Sequence, residues 1–289
     1  MNNPINPKYL NPEKLHLDYK SNQPFSHIIL DDFIDENLLK SVLSEFPDLS
    51  NISSKIEYKN SGEVKFTSKG FSDIQPKAFE LISYLNSDIF LKYLQTLTGV
   101  KEVLISDPYL SGGGYHEIKN SGFLKVHVDF TKHPYLNLDR RINLLLYLNT
   151  NWDNSWGGSL KLYDQNDLQN SYVDIEPQFN RCVIFSTTSF TYHGNPDPLN
   201  CPNELSRKSI ALYYFSQGRP ESEVTNNNDH GTFFILENGE KIKKDYVFKT
   251  LMVDFIPPIL HRFIRKIAQK VNYRNFLNLR QGDYKNKKP

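Results

Sequence analysis

The chain has 289 residues, 38% of them hydrophobic and 13% aromatic, which is enough apolar material for one large or one-and-a-half domains with a sizeable core. A formal net charge of +1 excludes whole-surface attraction to nucleic acid, and no uninterrupted apolar run approaches the ~20 residues of a membrane span. Two cysteines, Cys182 and Cys201, exclude a disulfide scaffold; with no basic-then-apolar leader at the start of the chain, a cytoplasmic protein is expected.

Residues 1–23 are polar and rich in Asn and Pro, and read as an N-terminal arm, packed on the domain or loosely ordered. A short strand over 26–30 leads to a helix over 35–46. Asp35 is its cap, Leu38, Leu39, Val42 and Phe46 share a face, and Pro47 is its stop. Residues 50–75 are polar and strand- or loop-like. A second helix is expected from Pro76 to near Gly99, carrying Phe79, Ile82, Leu85, Phe90, Leu91, Leu94 and Leu97. These two helices make a buttress over 24–100.

From residue 101 the pattern changes to short β runs at 103–106, 124–130, 142–149, 158–163, 172–175, 182–186 and 209–215, separated by Gly-, Asn-, Pro- and Asp-rich connectors. Such spacing predicts an antiparallel double-sheet jelly roll over 101–217. Gly157-Gly158 and Gly112-Gly113-Gly114 mark tight turns or close backbone approaches. Residues 218–289 form a C-terminal extension. It holds a strand-and-loop stretch around 231–236 and an amphipathic helix over 255–270, with Ile259, Phe263 and Ile267 on one face and Arg262, Arg265, Lys266 and Lys270 mainly on the rest. That helix is expected to dock on the core with a solvated basic face; the alternative is a weak peripheral contact of 255–289 with an anionic membrane.

The chemistry concentrates in Gly122-Phe-Leu-Lys-Val-His-Val-Asp-Phe130 and Thr191-Tyr-His-Gly-Asn-Pro196. Residues two apart on a strand point the same way, so His127 and Asp129 present an imidazole and a carboxylate on one face. His193, from another strand, makes the third ligand of a two-histidine, one-carboxylate set that holds Fe(II) and leaves adjacent positions open. Arg207 opens the apolar run Arg207-Lys-Ser-Ile-Ala-Leu-Tyr-Tyr-Phe215. Its planar guanidinium suits one carboxylate of a dicarboxylic co-substrate.

The order His-x-Asp, distal His, Arg-x-Ser resembles the Fe(II)/2-oxoglutarate dioxygenases, in particular the prolyl-4-hydroxylase-like superfamily. Tyr147-Leu-Asn-Thr-Asn-Trp152 and Trp156-Gly-Gly-Ser-Leu-Lys-Leu-Tyr163 are similar to the family's stretch between its metal ligands. Arg181-Cys-Val-Ile-Phe185 resembles the strand leading to the distal histidine, and Pro24-Phe-Ser-His-Ile-Ile-Leu-Asp-Asp-Phe33 the opening strand. The resemblance covers about residues 24–217 in order, and implies a mainly β fold with supporting helices (α+β) around a double-stranded β-helix. It further implies Fe(II) on His127, Asp129 and His193, with 2-oxoglutarate and O2 as co-substrates, and ascorbate as a reductant. Arg207 and Ser209 would bind 2-oxoglutarate, with His116 or Tyr115 as a second contact from the preceding strand, where many relatives carry a tyrosine.

The expected reaction is hydroxylation of an unactivated C–H bond with release of succinate and CO2. Two other readings compete: a cupin-like metal enzyme that does not use 2-oxoglutarate, and a non-catalytic jelly roll binding glycan or protein. The substrate class stays open among small molecules, peptides and glycans, because the loops at 50–75, 107–121 and 131–140 carry no motif that names a target. Asp139-Arg140-Arg141 and Lys132-His133 near the site read as solvated loop charges, with binding of an acidic group as the alternative. His16, His27, His133, His230 and His261 read as ordinary surface or packing histidines.

Overall fold

Four α-helices cover one face of a curled antiparallel sheet in the computed structural model, which describes residues 3–224 and 231–235. The helices are α1 (Pro12–Ser21), α2 (Glu36–Ser44), α3 (Pro76–Leu85) and α4 (Asp88–Thr98). The strands are β1 (His27–Leu30), β2 (Ile56–Lys59), β3 (Glu63–Thr67), β4 (Ile105–Ser106), β5 (Gly114–Lys119), β6 (Phe123–Val128), β7 (Asp139–Tyr147), β8 (Leu160–Tyr163), β9 (Val173–Ile175), β10 (Cys182–Ser186), β11 (Tyr192–Asn195), β12 (Ser206–Ser216) and β13 (Phe233–Phe234). The fold is mainly β with supporting helices, and its core is a jelly roll.

α1, α2 and α4 each begin at a side-chain cap, and α3 begins at Pro76 without one. Asn11 accepts from Lys14 N at 3.1 Å just before Pro12, and Asp35 accepts from Leu38 N at 2.9 Å. The single helix expected over 76–99 is two. Asn86 and Ser87 interrupt it, and the Ser87 hydroxyl accepts from Phe90 N to restart the chain as α4, which ends at Gly99 in the left-handed conformation (φ 72°). The N-terminal residues are packed rather than loose: Tyr19 is fully buried, and His16 Nδ1 meets Leu97 O at 3.0 Å. The helix predicted over 255–270 lies outside the described residues.

The strand order β1-β10-β7-β12-β5-β3-β6-β11-β8-β9 folds into two facing layers joined through β3. That strand pairs with β6 through Glu63 and Val64, then crosses to pair with β5 through Phe66 and Thr67. Alternation along β7 separates two apolar clusters. Ile142, Leu144 and Leu146 face the helices with Leu81, Leu85, Phe90, Leu94, Leu97, Leu212 and Tyr214. Tyr147 faces the other way, between the layers, with Leu160, Leu162, Ile175, Val183 and Phe185. Among the described residues no helix is long and apolar enough to cross a membrane.

Phe90 anchors the helix side. It is fully buried, and its ring lies within 6.5 Å of the rings of Phe33, Tyr84, Tyr93 and Tyr214. Phe90→Ala is therefore expected to cost about 3–5 kcal/mol of unfolding free energy by urea titration, the usual range for a buried aromatic. A loss under about 1 kcal/mol would mean that the helices contribute little to the core.

Candidate metal centre

β6 and β11 pair so that His127 and His193 stand directly opposite each other, with ring centroids 4.4 Å apart. Asp129 follows β6 by one residue and points to the same side as His127. Ligand atoms of all three lie within 4.8 Å of one another, and all three residues are buried. His127 Nδ1 meets Lys125 O at 2.9 Å, and His193 Nδ1 meets Thr191 O at 3.0 Å. A carbonyl can only accept, so both Nδ1 atoms carry the proton and both Nε2 atoms present a lone pair.

These lone pairs face a carboxylate, with His127 Nε2 3.7 Å from Asp129 Oδ1 and His193 Nε2 3.4 Å from Oδ2. Three electron-rich atoms converging in a buried space are matched by a cation between them, and the donor set suits Fe(II). Burial alone would raise the Asp129 carboxyl. The Arg140 guanidinium outweighs it and holds Asp129 well below the usual carboxylate range. Burial, then neighbouring His193, pushes His127 down, so this ring stays neutral and ready to ligate.

Asp129 is held from behind. Arg140 Nη2 donates to its Oδ2 at 3.0 Å and Asn143 Nδ2 donates at 2.7 Å, while Arg140 Nε donates to Asn143 Oδ1 at 2.9 Å. The guanidinium lies 3.5 Å above the Tyr213 ring and 4.4 Å from that of Phe130. This corrects the reading of Asp139-Arg140-Arg141 as solvated charges, because Arg140 is 1% exposed and Arg141 4%. β7 starts earlier than the apolar run suggests, and the acids that pair with these arginines, Asp129 for Arg140 and Glu102 and Glu223 for Arg141, come from other parts of the chain. Arg140 Nη1 is buried and has no hydrogen-bond partner among the described residues. His133, another of the residues read as ordinary, is also buried and ties the 107–114 loop down through Asp107 Oδ1 at 3.0 Å.

Arg207 enters from β12 on the inner face. Its Nε donates to Gly158 O at 2.7 Å and its Nη2 to the Tyr147 hydroxyl at 3.1 Å. Gly158 has φ +81°, and a Cβ there would lie 3.0 Å from Arg207 Cδ and 2.7 Å from Leu199. Only glycine combines that backbone with that approach. Trp152 Nε1 donates to Gly157 O at 2.9 Å and so fixes the turn that carries the Gly158 carbonyl. The Tyr-Leu-Asn…Trp…Gly-Gly stretch thus builds the seat of Arg207.

Ser209, two residues along, shares this face and lies in register with Tyr147 on one side and His116 on the other. The two candidates on β5 part company. His116 faces the site, whereas Tyr115 points to the helix side, where its ring packs 4.4 Å from that of Phe46. Tyr115 is therefore a core residue and not a co-substrate contact, since adjacent strand residues face opposite ways. Tyr147 and Asn143 are residues to which sequence reasoning assigned no role, and Arg140 is one it read as a solvated charge.

His116 is half-buried, and its Nε2–H donates to Gly112 O at 2.9 Å. Burial, then the charge of Lys65, lowers its pKa from 6.5 to about 3, with Arg207 and Arg140 adding to the effect. It is a neutral acceptor at Nδ1, and not a cation, at neutral pH. The unfolded chain binds a proton there below about 6.5 that the folded chain refuses, so stability is full above that value and falls as pH drops toward 3. Between about pH 7.5 and about pH 5.5 the native chain should lose about 1.4 kcal/mol more than His116→Asn in urea unfolding. Equal losses would contradict the placement of His116.

Residues 113–215 match the 2OG-Fe(II) oxygenase superfamily. They hold His127, Asp129, His193 and Arg207 together. This domain belongs to that superfamily. The superfamily implies Fe(II) and 2-oxoglutarate, and the buried triad fits the iron. Over 120 residues the chain is 31% identical to prolyl 3-hydroxylase OGFOD1 of Mus musculus, a match covering 37% of this chain and 22% of that relative. The chain thus spans about a fifth of that curated relative. In fold it is similar to a prolyl hydroxylase of Trichoplax adhaerens, solved with a hypoxia-inducible-factor peptide fragment (TM-score 0.52, 17% identity, 73% of this chain and 91% of that one). It is likewise similar to a Pseudomonas putida prolyl-4-hydroxylase (TM-score 0.50, 13% identity, 72% and 99%).

Proposed function

We propose that this 2OG-Fe(II) oxygenase domain hydroxylates a prolyl residue within a peptide. The observation that carries the reading is the buried His127–Asp129–His193 cluster lying between the same two layers as the uncommitted side of Arg207. Fe(II), with 2-oxoglutarate and O2, supplies the oxidation of an unactivated C–H bond and releases succinate and CO2. The protein's part is to bind, orient and exclude water. His127, Asp129 and His193 hold the metal, with Phe185 packed 4.9 Å from the His193 ring as a dry wall. Arg207 grips the far carboxylate of 2-oxoglutarate, steered by Gly158 O, while the Tyr147 and Ser209 hydroxyls stand in register beside it.

Beside Asp129 the rings of Phe130 and Tyr213 enclose the Arg140 guanidinium and hold it against the metal-ligating carboxylate. The stretch shared with the mouse prolyl 3-hydroxylase supports a peptidyl substrate over a free metabolite or glycan. A cupin-like enzyme is disfavoured because the ligand order is His-x-Asp and the superfamily match spans it. A non-catalytic module is disfavoured because the ligands and Arg207 are all intact.

The test is incubation of the full chain with Fe(II), 2-oxoglutarate, O2, ascorbate and pooled proline-containing peptides. Succinate release is measured beside the gain of one oxygen atom by mass spectrometry. Oxygen gain on a prolyl residue in step with succinate is expected. Succinate without peptide oxidation would move the substrate to another class, and no succinate with any substrate class would contradict the hydroxylase reading.

A further inference from the structure

A short strand beyond the superfamily match returns to the metal ligands. β13 pairs antiparallel with β6, placing Phe233 opposite Val128 and Phe234 opposite His127, and Ile235 N donates to Val126 O at 2.7 Å. Residues directly opposite on paired strands share a face. His127 is therefore the middle of a row across three strands, with His193 on one flank and Phe234 on the other. The Phe234 ring centroid is 5.5 Å from that of His127, inclined at 38°. β3 begins at Glu63, opposite Leu124, and runs antiparallel toward the start of β6, so the C-terminal half of β6 has an edge, and β13 fills it.

Phe234 is held from its other side by the β2–β3 turn. A Cβ on Gly62 would lie 2.8 Å from Phe234 Cγ and 2.9 Å from both Cδ atoms, so the ring occupies the space that any side chain at 62 would need. The contact involves the root of the ring rather than a flexible tip, and relief requires the whole ring to move. Gly62 is itself fixed, its N–H donating to Asn60 Oδ1 at 2.8 Å and its carbonyl accepting from Lys125 N at 2.8 Å.

We propose that Phe234 is a positioning residue of the metal centre, keyed into place by Gly62, and that the centre is complete only with this strand from beyond residues 113–215. The ring limits the rotation of His127 and excludes water from its flank, while the Lys125 carbonyl fixes the tautomer. Partners that orient a ligating histidine from outside the ligand set change metal affinity by about 10–100-fold when removed. The inference rests on the metal-centre reading.

The test uses the full chain with Co(II) as the probe, reading the dissociation constant by calorimetry, the visible spectrum of the bound ion, and the melting temperature of the metal-free protein. Phe234→Ala should weaken Co(II) at least tenfold and shift its spectrum, and Phe234→Leu should recover most of the affinity. Gly62→Ala, which leaves Phe234 in the chain but displaces it, should weaken Co(II) similarly, and the double variant should be no weaker than the worse single one. Native affinity and spectrum in Phe234→Ala, or additive losses in the double variant, would overturn the proposal. If Phe234→Ala is too unstable to assay, Gly62→Ala and Phe234→Leu decide: native affinity in the first, or a loss in the second as large as full removal of the ligand His127, would overturn it. Failure of the native chain to bind Co(II), or unchanged binding in His127→Ala, would instead overturn the metal-centre reading itself.

Discussion

His127→Ala, Asp129→Ala and His193→Ala each abolish iron-dependent turnover of 2-oxoglutarate, and the three differ in what they do to the fold. Each removes one of only three protein ligands, so metal content and succinate production fall together. Removing either imidazole deletes one hydrogen bond to a backbone carbonyl, Lys125 O or Thr191 O. Removing the carboxylate is harsher. Asp129 neutralises the Arg140 guanidinium, which is 1% exposed, and a buried charge stripped of its partner costs about 3–5 kcal/mol. Asp129→Asn keeps an acceptor for Arg140 or Asn143 but not the charge, so it should lose the metal as the alanine variant does while melting at a temperature between that variant and the native chain. Succinate formation, bound iron and melting temperature are the readouts, and native succinate production by any of the three alanine variants would remove the assignment.

Arg207→Ala raises KM for 2-oxoglutarate at least tenfold while leaving iron binding near native. A charge-assisted hydrogen bond contributes about 1.5–3 kcal/mol, and 1.4 kcal/mol is about tenfold in affinity. Part of the effect is indirect, because Gly158 O and the Tyr147 hydroxyl lose the donors that Arg207 gives them. Arg207→Lys rescues only in part, since an ammonium supplies charge without the planar fork that serves both acceptors and a carboxylate together. Tyr147→Phe should give an intermediate loss. An unchanged KM in Arg207→Ala would make Arg207 a clamp for the Gly157-Gly158 turn and nothing more.

His127 and Asp129 were legible in the sequence because strand periodicity is local, so two residues two apart must share a face. Arg207 was legible as a cation heading an apolar run. Tyr147 lay in a recognised stretch but read as one more aromatic in a β run, since its role depends on register with Ser209 across β7 and β12. The choice between Tyr115 and His116 likewise turns on which face of β5 looks inward, and the pairing of β5 with β12 decides that from some 90 residues away. Arg140 was misread because composition cannot show that Asp129, Tyr213 and Phe130 enclose it. β11 has four residues including a glycine and an asparagine, too short and too polar for a strand signal. α1 buries little beyond Tyr19, so it has no clear apolar period and the stretch reads as an arm without a helix. Phe234 lay in a stretch read as strand and loop, but nothing local tied it to the metal ligands, because its place opposite His127 comes from a long-range pairing.

The central claim is that one cavity holds Fe(II) on His127, Asp129 and His193 and 2-oxoglutarate against Arg207. Anaerobic addition of Fe(II) and then 2-oxoglutarate to the full chain, followed by visible absorption, tests it most directly. A weak charge-transfer band should appear only when both are present, vanish in His193→Ala, and need at least tenfold more 2-oxoglutarate in Arg207→Ala. Iron binding with no band on adding 2-oxoglutarate, or an undiminished band in His193→Ala, would contradict the account.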